Sequence, residues 1–263
     1  MDFAALVVRE GDRVTASGRL IRDPTGDWFE PPLPMDLVLV TPRRARPAWR
    51  GAVRVTGADF DNLADRFECD GAVEGSASLT GIWSAGQLRA EHQSSPRYGH
   101  HVLPRWETPP CPGPTGGWPQ PPGWRDGDEH LHFDLGDLER TGAAVEVTIF
   151  RPSQDRAVLV VAAADPDAVE ARLRRQLGQL LCVVPNRWTK AELDAVRDHL
   201  DARHDAWNIY LWGSSTGEDG QACVTAQLTR VLPEIARWAD SLPPGILSLD
   251  PWLRPTLTPS RNR

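Results

Sequence analysis

Proline is the residue that most constrains the fold of this chain, because it is both frequent and unevenly placed. The 263 residues include 24 Pro and 22 Gly. Proline fixes φ and lacks a backbone donor, so a chain punctuated this often is not an all-helical bundle, a coiled coil or a long amphipathic rod. The hydrophobic share of 40% and the charged share of 25% are typical of a soluble globular protein with one large or two modest domains.

The prolines concentrate in residues 96–127, which hold nine of them together with Trp106, Trp118 and Trp124. This segment, called the connector below, has no apolar periodicity and is predicted to be extended. Because exposed indoles are costly in water, we expect it to be docked on its neighbours. A recognition peptide for a proline-binding groove is the alternative. The predicted organisation is a domain at 1–95, the connector at 96–127, a domain at 128–254 and a disordered tail at 255–263.

Short strands separated by turns are predicted before the connector, with one short helix at residues 61–67. Glycines lie inside the strands, as they do where a small β-barrel bends. The segments VTASGRL (14–20) and LTGIW (79–83), together with the turn through Trp28 and with Leu88, resemble the OB fold. The resemblance covers about the first 95 residues. It implies a small barrel of a kind that often binds single-stranded nucleic acid or oligosaccharides, although a fold does not decide a function.

After the connector the periodicity predicts the order β-β-α-β-α-β-β-α-β. Asp165 and Pro166 are a good helix start, and Thr189 with Glu192 forms a capping-box pattern before another helix. We therefore expect an α+β sandwich with helices on one face of a mainly antiparallel sheet, for which a ferredoxin-like core is one arrangement. The segments 181–193 and 224–253 resemble uncharacterised two-domain proteins of GC-rich bacteria, a likeness to which we attach no activity.

A run of arginines is the feature that most invites a binding function. The chain has a net charge of −7, which argues against attraction of its whole surface to nucleic acid or an anionic membrane. Residues 37–58 nevertheless contain five arginines and no acidic residue. A guanidinium recognises phosphate or carboxylate, and an indole can stack a base. The candidate anion-binding or nucleic-acid-binding residues are Arg43, Arg44, Arg46, Trp49, Arg50 and Arg54. The competing explanation is a solvated loop in a chain that uses arginine for 28 of its 29 basic residues.

The motifs with catalytic or metal-binding precedents fail in their context. Residues 213–217 match G-x-S-x-G, but a nucleophile elbow must turn into a helix, and here a second strand is predicted. His130 and His132 would share one face of a strand and are weak metal candidates. The carboxylate pairs at 59/61, 126/128 and 165/167 fit turns and helix caps. No phosphate-cradling glycine motif is present, and we predict neither a metal nor a cofactor.

The cysteines and the apolar segments bear on location. Cys69, Cys111, Cys182 and Cys223 are far apart and form no C-x-x-C pair, so neither a disulfide framework nor a zinc knuckle is implied. We expect most of them to be reduced, with Cys182 and Cys223 as small core residues. The longest apolar run, at 157–164, is too short for a membrane span. The predicted location is cytoplasmic.

Three functional hypotheses remain open. The first is a non-enzymatic interaction protein that presents two small domains to a protein partner, with an acidic partner favoured by the arginine run. The second is an OB-type binder of single-stranded nucleic acid or another anionic ligand, ranked below it. The third is an enzyme of an unrecognised class, which would need a cleft where several titratable groups converge. The sequence gives no oligomeric state.

Overall fold

The strands form two groups along the chain, one before and one after the proline-rich connector. The computed structural model describes residues 2–32, 51–69, 71–96, 107–121 and 134–256. After a 3-10 helix at Phe3–Leu6, the first group is β1 (Arg13–Asp23), β2 (Gly26–Glu30), β3 (Val53–Thr56), β4 (Ala64–Cys69), β5 (Ala72–Ser84) and β6 (Gln87–Ser94). The second group is α1 (Leu138–Thr141), β7 (Ala144–Ser153), β8 (Arg156–Ala163), α2 (Pro166–Leu177), β9 (Leu181–Pro185), α3 (Lys190–Asp201), β10 (Ile209–Thr216), β11 (Ala222–Leu228), α4 (Pro233–Asp240), β12 (Leu247–Pro251) and β13 (Arg254–Pro255).

The first group forms a sheet in which five strands pair in a closed cycle. The sheet order is β13-β1-β2-β3-β6-β5-β4, and β1 pairs with β5 in addition. The cycle therefore runs β1-β2-β3-β6-β5 and back to β1. Its β3–β6 pair is parallel and the other four pairs are antiparallel. Burial alternates along β1 and β5 with the two-residue period of a strand. The inward side chains enclose one core that includes Val14, Leu20, Phe29, Leu79 and Leu88.

The short helix predicted at 61–67 is wrong. Asp59 accepts hydrogen bonds from the Asp61 backbone N–H (2.9 Å) and from Asn62 Nδ2 (2.6 Å), which makes a turn. Asp65 then has a φ of 53°, in the left-handed region, so a right-handed helix does not pass through it. The chain continues as β4, which pairs antiparallel with β5.

The second group confirms an α+β architecture, and its element order from β7 to β12 is the predicted one, whereas α1 before β7 and β13 after β12 were not predicted. The strands, however, lie in two three-stranded sheets, β7-β8-β9 and β10-β11-β12, where one mainly antiparallel sheet was expected. Each sheet combines an antiparallel hairpin with a parallel third strand reached through a helix, α2 in one and α4 in the other. The same α-β-β-α-β order thus occurs twice. The edge strands β7 and β10 meet at the hydroxyls of Thr148 and Thr216, which are 2.6 Å apart.

The predicted helix starts are confirmed. Asp165 accepts a hydrogen bond from the Ala168 backbone N–H at 3.1 Å, and Pro166 follows in the first turn of α2. At α3, Thr189 and Glu192 form a capping box, each side chain accepting from the other residue's backbone N–H. These caps orient the apolar faces of α2 and α3 toward the sheets, where Leu173 and Leu200 are fully buried.

The end of the described chain returns to the first sheet. Trp252 and Leu253 are buried in the core of the five-strand cycle, and β13 pairs with β1, bringing Pro255 opposite Val14. Of the tail predicted at 255–263, Pro255 and Thr256 are therefore ordered against β1, and residues 257–263 lie outside the described chain. Near the start of the chain, Val7 forms an isolated bridge with Val231. The two halves consequently share backbone pairing as well as side-chain contacts.

The expectation that the cysteines lack a disulfide is wrong. Cys111 and Cys182 form one, with their Cα atoms 5.7 Å apart and a sequence separation of 71. Spacing along the chain gives no information about this proximity, because the fold creates it. Cys69 and Cys223 form no disulfide and are partly buried. Cys111 belongs to the connector, and Trp118 of the connector packs against the buried cluster of Phe150, Val158, Val160 and Cys182, which confirms docking for that indole. Trp106 and Trp124 lie outside the described residues. No helix in the described part of the chain is long and apolar enough to cross a membrane.

Candidate functional site

Arg54 is the part of the predicted arginine cluster that the structure describes. It lies on β3 directly opposite Trp28 of β2. The guanidinium carbon is 3.7 Å from the centre of the indole ring, and one guanidinium nitrogen donates to the main-chain oxygen of Thr25 at 2.6 Å. A Cβ at Gly26 would be 1.9 Å from the Arg54 guanidinium, so only glycine leaves room for this arrangement. The turn before β2 therefore fixes the Arg54 side chain on the outer surface.

A second arginine lies on an aromatic ring close by, but its charge is balanced. Arg22 is 4.0 Å from the centre of the Phe60 ring and donates two hydrogen bonds to Asp27, at 2.8 and 2.9 Å. These bonds raise the pKa of Arg22. The bidentate pair leaves little net charge for an external anion to neutralise.

Most described arginines of the first sheet are likewise paired with carboxylates. Arg19 contacts Glu30 and Glu74, and further pairs are Arg13–Glu91, Arg66–Glu68 and Arg89–Glu91. Within the described ranges no carboxylate lies within ion-pair distance of Arg54. Its exposed cation and the adjoining indole are therefore the described groups of this surface that are best suited to an anionic ligand.

The other predicted arginine-cluster residues lie outside the described chain: Arg43, Arg44, Arg46, Trp49 and Arg50. The described residues that flank them pack against the second half of the protein. Gly51 is buried, its oxygen accepts a 3.2 Å hydrogen bond from the Thr229 hydroxyl, and a Cβ built on it would be 3.3 Å from Tyr210. Gly51, just before β3, is thus anchored beside β10.

A cleft of about 440 Å³ opens at that junction, and sequence reasoning missed it. Leu211 of β10 is 42% exposed and is the one large hydrophobic residue so exposed in the described part of the chain. Burial raises the pKa of the neighbouring Tyr210 phenol, which is therefore neutral at physiological pH. Asp250 and Arg254 form an ion pair at 2.5 Å on the rim. The lining residues are Pro32, Tyr210, Leu211, Gln227, Asp250, Pro251, Trp252 and Arg254.

No sequence signal marked this cleft. Residues 207–212 are recognisable as a strand, but which side chains of an edge strand stay uncovered depends on how the two halves pack. An exposed leucine beside the partly buried Tyr210 and an Arg–Asp pair resembles the centre and rim of a protein–protein interface. The cleft can accept an apolar side chain and offers polar partners around it.

The catalytic and metal candidates do not assemble. Ser214 and Ser215 of the G-x-S-x-G match lie in β10, which forms a hairpin with β11 as predicted. The Ser214 hydroxyl accepts from Arg197 at 3.3 Å, and the Ser215 hydroxyl lies 3.3 Å from the Cys223 sulfur, so neither is paired with a histidine among the described residues. His130 and His132 lie outside the described chain. Within it, no three His, Cys, Asp or Glu side chains are grouped to hold a metal ion.

Comparison with known proteins adds no precedent for this site. No protein-family model, no curated protein and no solved structure matches the chain. The features of the molecule that bear on function are therefore the stacking of Arg54 on Trp28 and the cleft at Leu211.

Proposed function

We propose that this chain is a non-enzymatic binding protein and that its partner, another protein, docks at the cleft beside Leu211. The observation that carries the proposal is the exposure of Leu211 between Tyr210 and the Asp250–Arg254 pair. Interfaces concentrate their binding energy in a few apolar and aromatic residues surrounded by polar ones. A leucine left 42% exposed beside an aromatic residue is such an anchor in the unbound protein.

The experiment is a pull-down in which immobilised wild-type protein and two variants are incubated with an extract of the source cells. The proteins that each one retains are then compared. Leu211→Glu places a charge in the cleft, and Ala191→Glu places the same charge on the exposed surface of α3 as the matched control. We expect one protein to be retained by wild type and by Ala191→Glu, and to be depleted at least about tenfold by Leu211→Glu, the loss that 1.4 kcal/mol of binding energy gives. Identical retention by all three would overturn the proposal.

A second candidate function is supported by Arg54. We propose that the five-strand cycle is an OB-type barrel and that its β2–β3 surface binds an anionic ligand, with single-stranded nucleic acid as the class to test. The parallel pair β3–β6 within an otherwise antiparallel cycle supports the OB-type assignment. OB folds bind oligonucleotides on the corresponding strands, and Arg54 with Trp28 lies there without a carboxylate partner among the described residues.

Titration of a labelled single-stranded oligothymidine at low salt tests this candidate. Arg54→Gln removes the unpaired charge, and Arg66→Gln removes a charge already paired with Glu68. We expect only the first to weaken binding, by about 1 kcal/mol or roughly fivefold, and to make the affinity less dependent on salt. The double variant Arg43→Ala with Arg44→Ala extends the test to the predicted cluster. Affinity that is insensitive to salt, to Arg54→Gln and to the double variant would exclude nucleic acid as the ligand.

The predicted cytoplasmic location stays a proposal, and the Cys111–Cys182 disulfide bears on it. Persistent disulfides are rare in reducing compartments, where those that occur are usually transient or redox-sensing. A cytoplasmic location therefore requires this bond to open and close.

A further inference from the structure

One face of the β7-β8-β9 sheet is covered by connector residues 107–121, called the strap below. Helix α2 packs on the opposite face, against Leu159, Val161 and Leu181. On the strap side, Phe150, Val158, Val160 and Cys182 are at most 5% exposed. Cys111 and Trp118 of the strap pack directly against them. The strap therefore keeps water from an apolar strip that no helix covers.

Few bonds hold the strap in place. At its start, Glu107 and Arg151 exchange two hydrogen bonds: the Glu107 backbone N–H donates to the Arg151 carbonyl at 2.9 Å, and the Arg151 backbone N–H donates to the Glu107 carboxylate at 3.2 Å. From 108 to 121 the described contacts with the sheet are apolar packing, the disulfide, and a 3.7 Å approach of the Cys111 sulfur to the Val183 oxygen. Six residues of 108–121 are prolines, which have no N–H to donate. The disulfide is the covalent one among these described contacts.

The disulfide is reachable from one side. Both cysteines line a cavity of about 530 Å³ that Trp118 and Pro114 of the strap share with Arg174 and Gln179 of the body. Cys111 is partly exposed and Cys182 is 1% exposed. A small thiol entering this cavity meets the Cys111 sulfur first. A second cavity, of about 610 Å³, lies under the other part of the strap, between Pro109 and Phe150.

We propose that the Cys111–Cys182 disulfide is a thiol-exchange site for small thiol peptides and that its opening releases the strap. The thiolate of the incoming thiol attacks the Cys111 sulfur, a mixed disulfide forms there, and Cys182 leaves as a thiolate that takes up a proton. A second thiol then attacks the mixed disulfide at its external sulfur. Cys111 is freed as a thiol, the two small thiols leave as their own disulfide, and two electrons have passed to the protein. Release exposes the apolar strip and the Cys182 thiol.

In the first experiment the full chain is incubated without denaturant in millimolar glutathione. Reduced and oxidised glutathione are mixed at several ratios. Mass spectrometry after acid quenching locates the adduct, and alkylation counts the thiols. We expect a mixed disulfide on Cys111, complete opening at high glutathione, and re-formation of the bond when the disulfide form is added back. A bond that opens only in urea, or an adduct found on Cys182 first, would overturn the proposal.

The second experiment tests release itself by hydrogen exchange of the strap and of β8 and β9. Reduced wild type and the Cys111→Ser variant are compared with the oxidised protein, and a Cys69→Ser, Cys223→Ser variant serves as the control that keeps the disulfide. We expect exchange of the Glu107 and Gly117 amides, the strap N–H groups that are hydrogen-bonded to described residues, to rise at least about tenfold on reduction and in Cys111→Ser, while α3 and α4 stay protected. Unchanged strap protection in the reduced wild type would show that packing alone holds the strap. It would refute the proposal that opening the disulfide releases it.

Discussion

The indole nitrogen of Trp252 donates a 2.8 Å hydrogen bond to the main-chain oxygen of Ser17, across 235 residues of sequence. The same indole lies against Phe29, with ring centres 4.7 Å apart. One residue near the end of the described chain thus completes both a hydrogen bond and a core contact in the first sheet. The core of the five-strand cycle therefore includes Trp252, which lies outside the cycle's own strands.

Substituting Trp252 is therefore expected to destabilise the protein. Trp252→Ala removes the buried ring and should lower the free energy of unfolding by about 3–5 kcal/mol. Trp252→Phe keeps most of the ring contact and loses the hydrogen bond, for about 0.5–1.5 kcal/mol. Urea unfolding measures both. The control is Trp212→Phe, because the partly buried Trp212 indole donates no hydrogen bond among the described residues. Equal losses in Trp252→Phe and Trp212→Phe would contradict the assignment.

Gly18 is expected to tolerate no side chain. A Cβ there would be 2.2 Å from the Glu30 main-chain oxygen and 2.9 Å from the Trp252 ring. Gly18→Ala must displace β2 or the indole, and we expect a loss of about 1–3 kcal/mol. Gly213→Ala is the matched control, since a Cβ at that strand position meets nothing within 4 Å. Thermal unfolding of the two variants should separate them clearly, and equal melting temperatures would show that the strands can move apart.

Ala85 offers a stabilising substitution. The β5–β6 turn places Ala85 at φ 51° and Gly86 at φ 75°, both left-handed. Two-residue hairpin turns of this kind favour Asn-Gly, and a non-glycine residue such as Ala is strained there by about 1–2 kcal/mol. Ala85→Asn should raise the free energy of unfolding by about 0.5–1 kcal/mol, whereas the β-branched Ala85→Val should lower it. Denaturant midpoints that do not move in opposite directions would argue against this turn geometry.

His199 should make stability depend on pH. Its ring is stacked on Trp238, with centres 4.4 Å apart, and burial, with a smaller effect of Arg203, lowers its pKa below the usual value of 6.5. The folded state thus favours the neutral ring, and the unfolded state binds its proton at a higher pH. The stability from this preference is complete above about pH 6.5 and is lost as the pH falls through the folded-state pKa. The slope of unfolding free energy between pH 7.5 and 5 should be smaller in His199→Gln, and identical slopes would refute this role.

Local sequence signals predicted local structure well. The Asp165 cap and the Thr189–Glu192 box each rest on residues three positions apart, so a short window contains everything that decides them. The same window failed at Asp65, where the left-handed backbone that ends the predicted helix is stabilised by pairing of β4 with β5. Pairing between distant strands is a tertiary property, and helix propensity does not report it.

The candidate site was harder to predict for the same reason. Arg54 could be singled out because arginine type and clustering are visible in the sequence. Its distinguishing property, a missing carboxylate partner among the described residues, depends on which acidic side chains the fold brings near. Leu211 and the Cys111–Cys182 pair were missed because exposure and proximity arise from the packing of separate segments. Charge patterns therefore identified a surface, whereas the cleft and the disulfide required coordinates.

The position of Trp252 and Leu253 has a consequence for biosynthesis. A ribosome finishes β1 to β6 long before it makes these two residues, and until then the core around Leu20 and Phe29 lacks two of its buried members. The emerging first half must wait, with part of its interior uncovered, until residue 253 has left the exit tunnel. A chain shortened before that point would be synthesised with its second half nearly whole and with the core of its first half lacking Trp252 and Leu253.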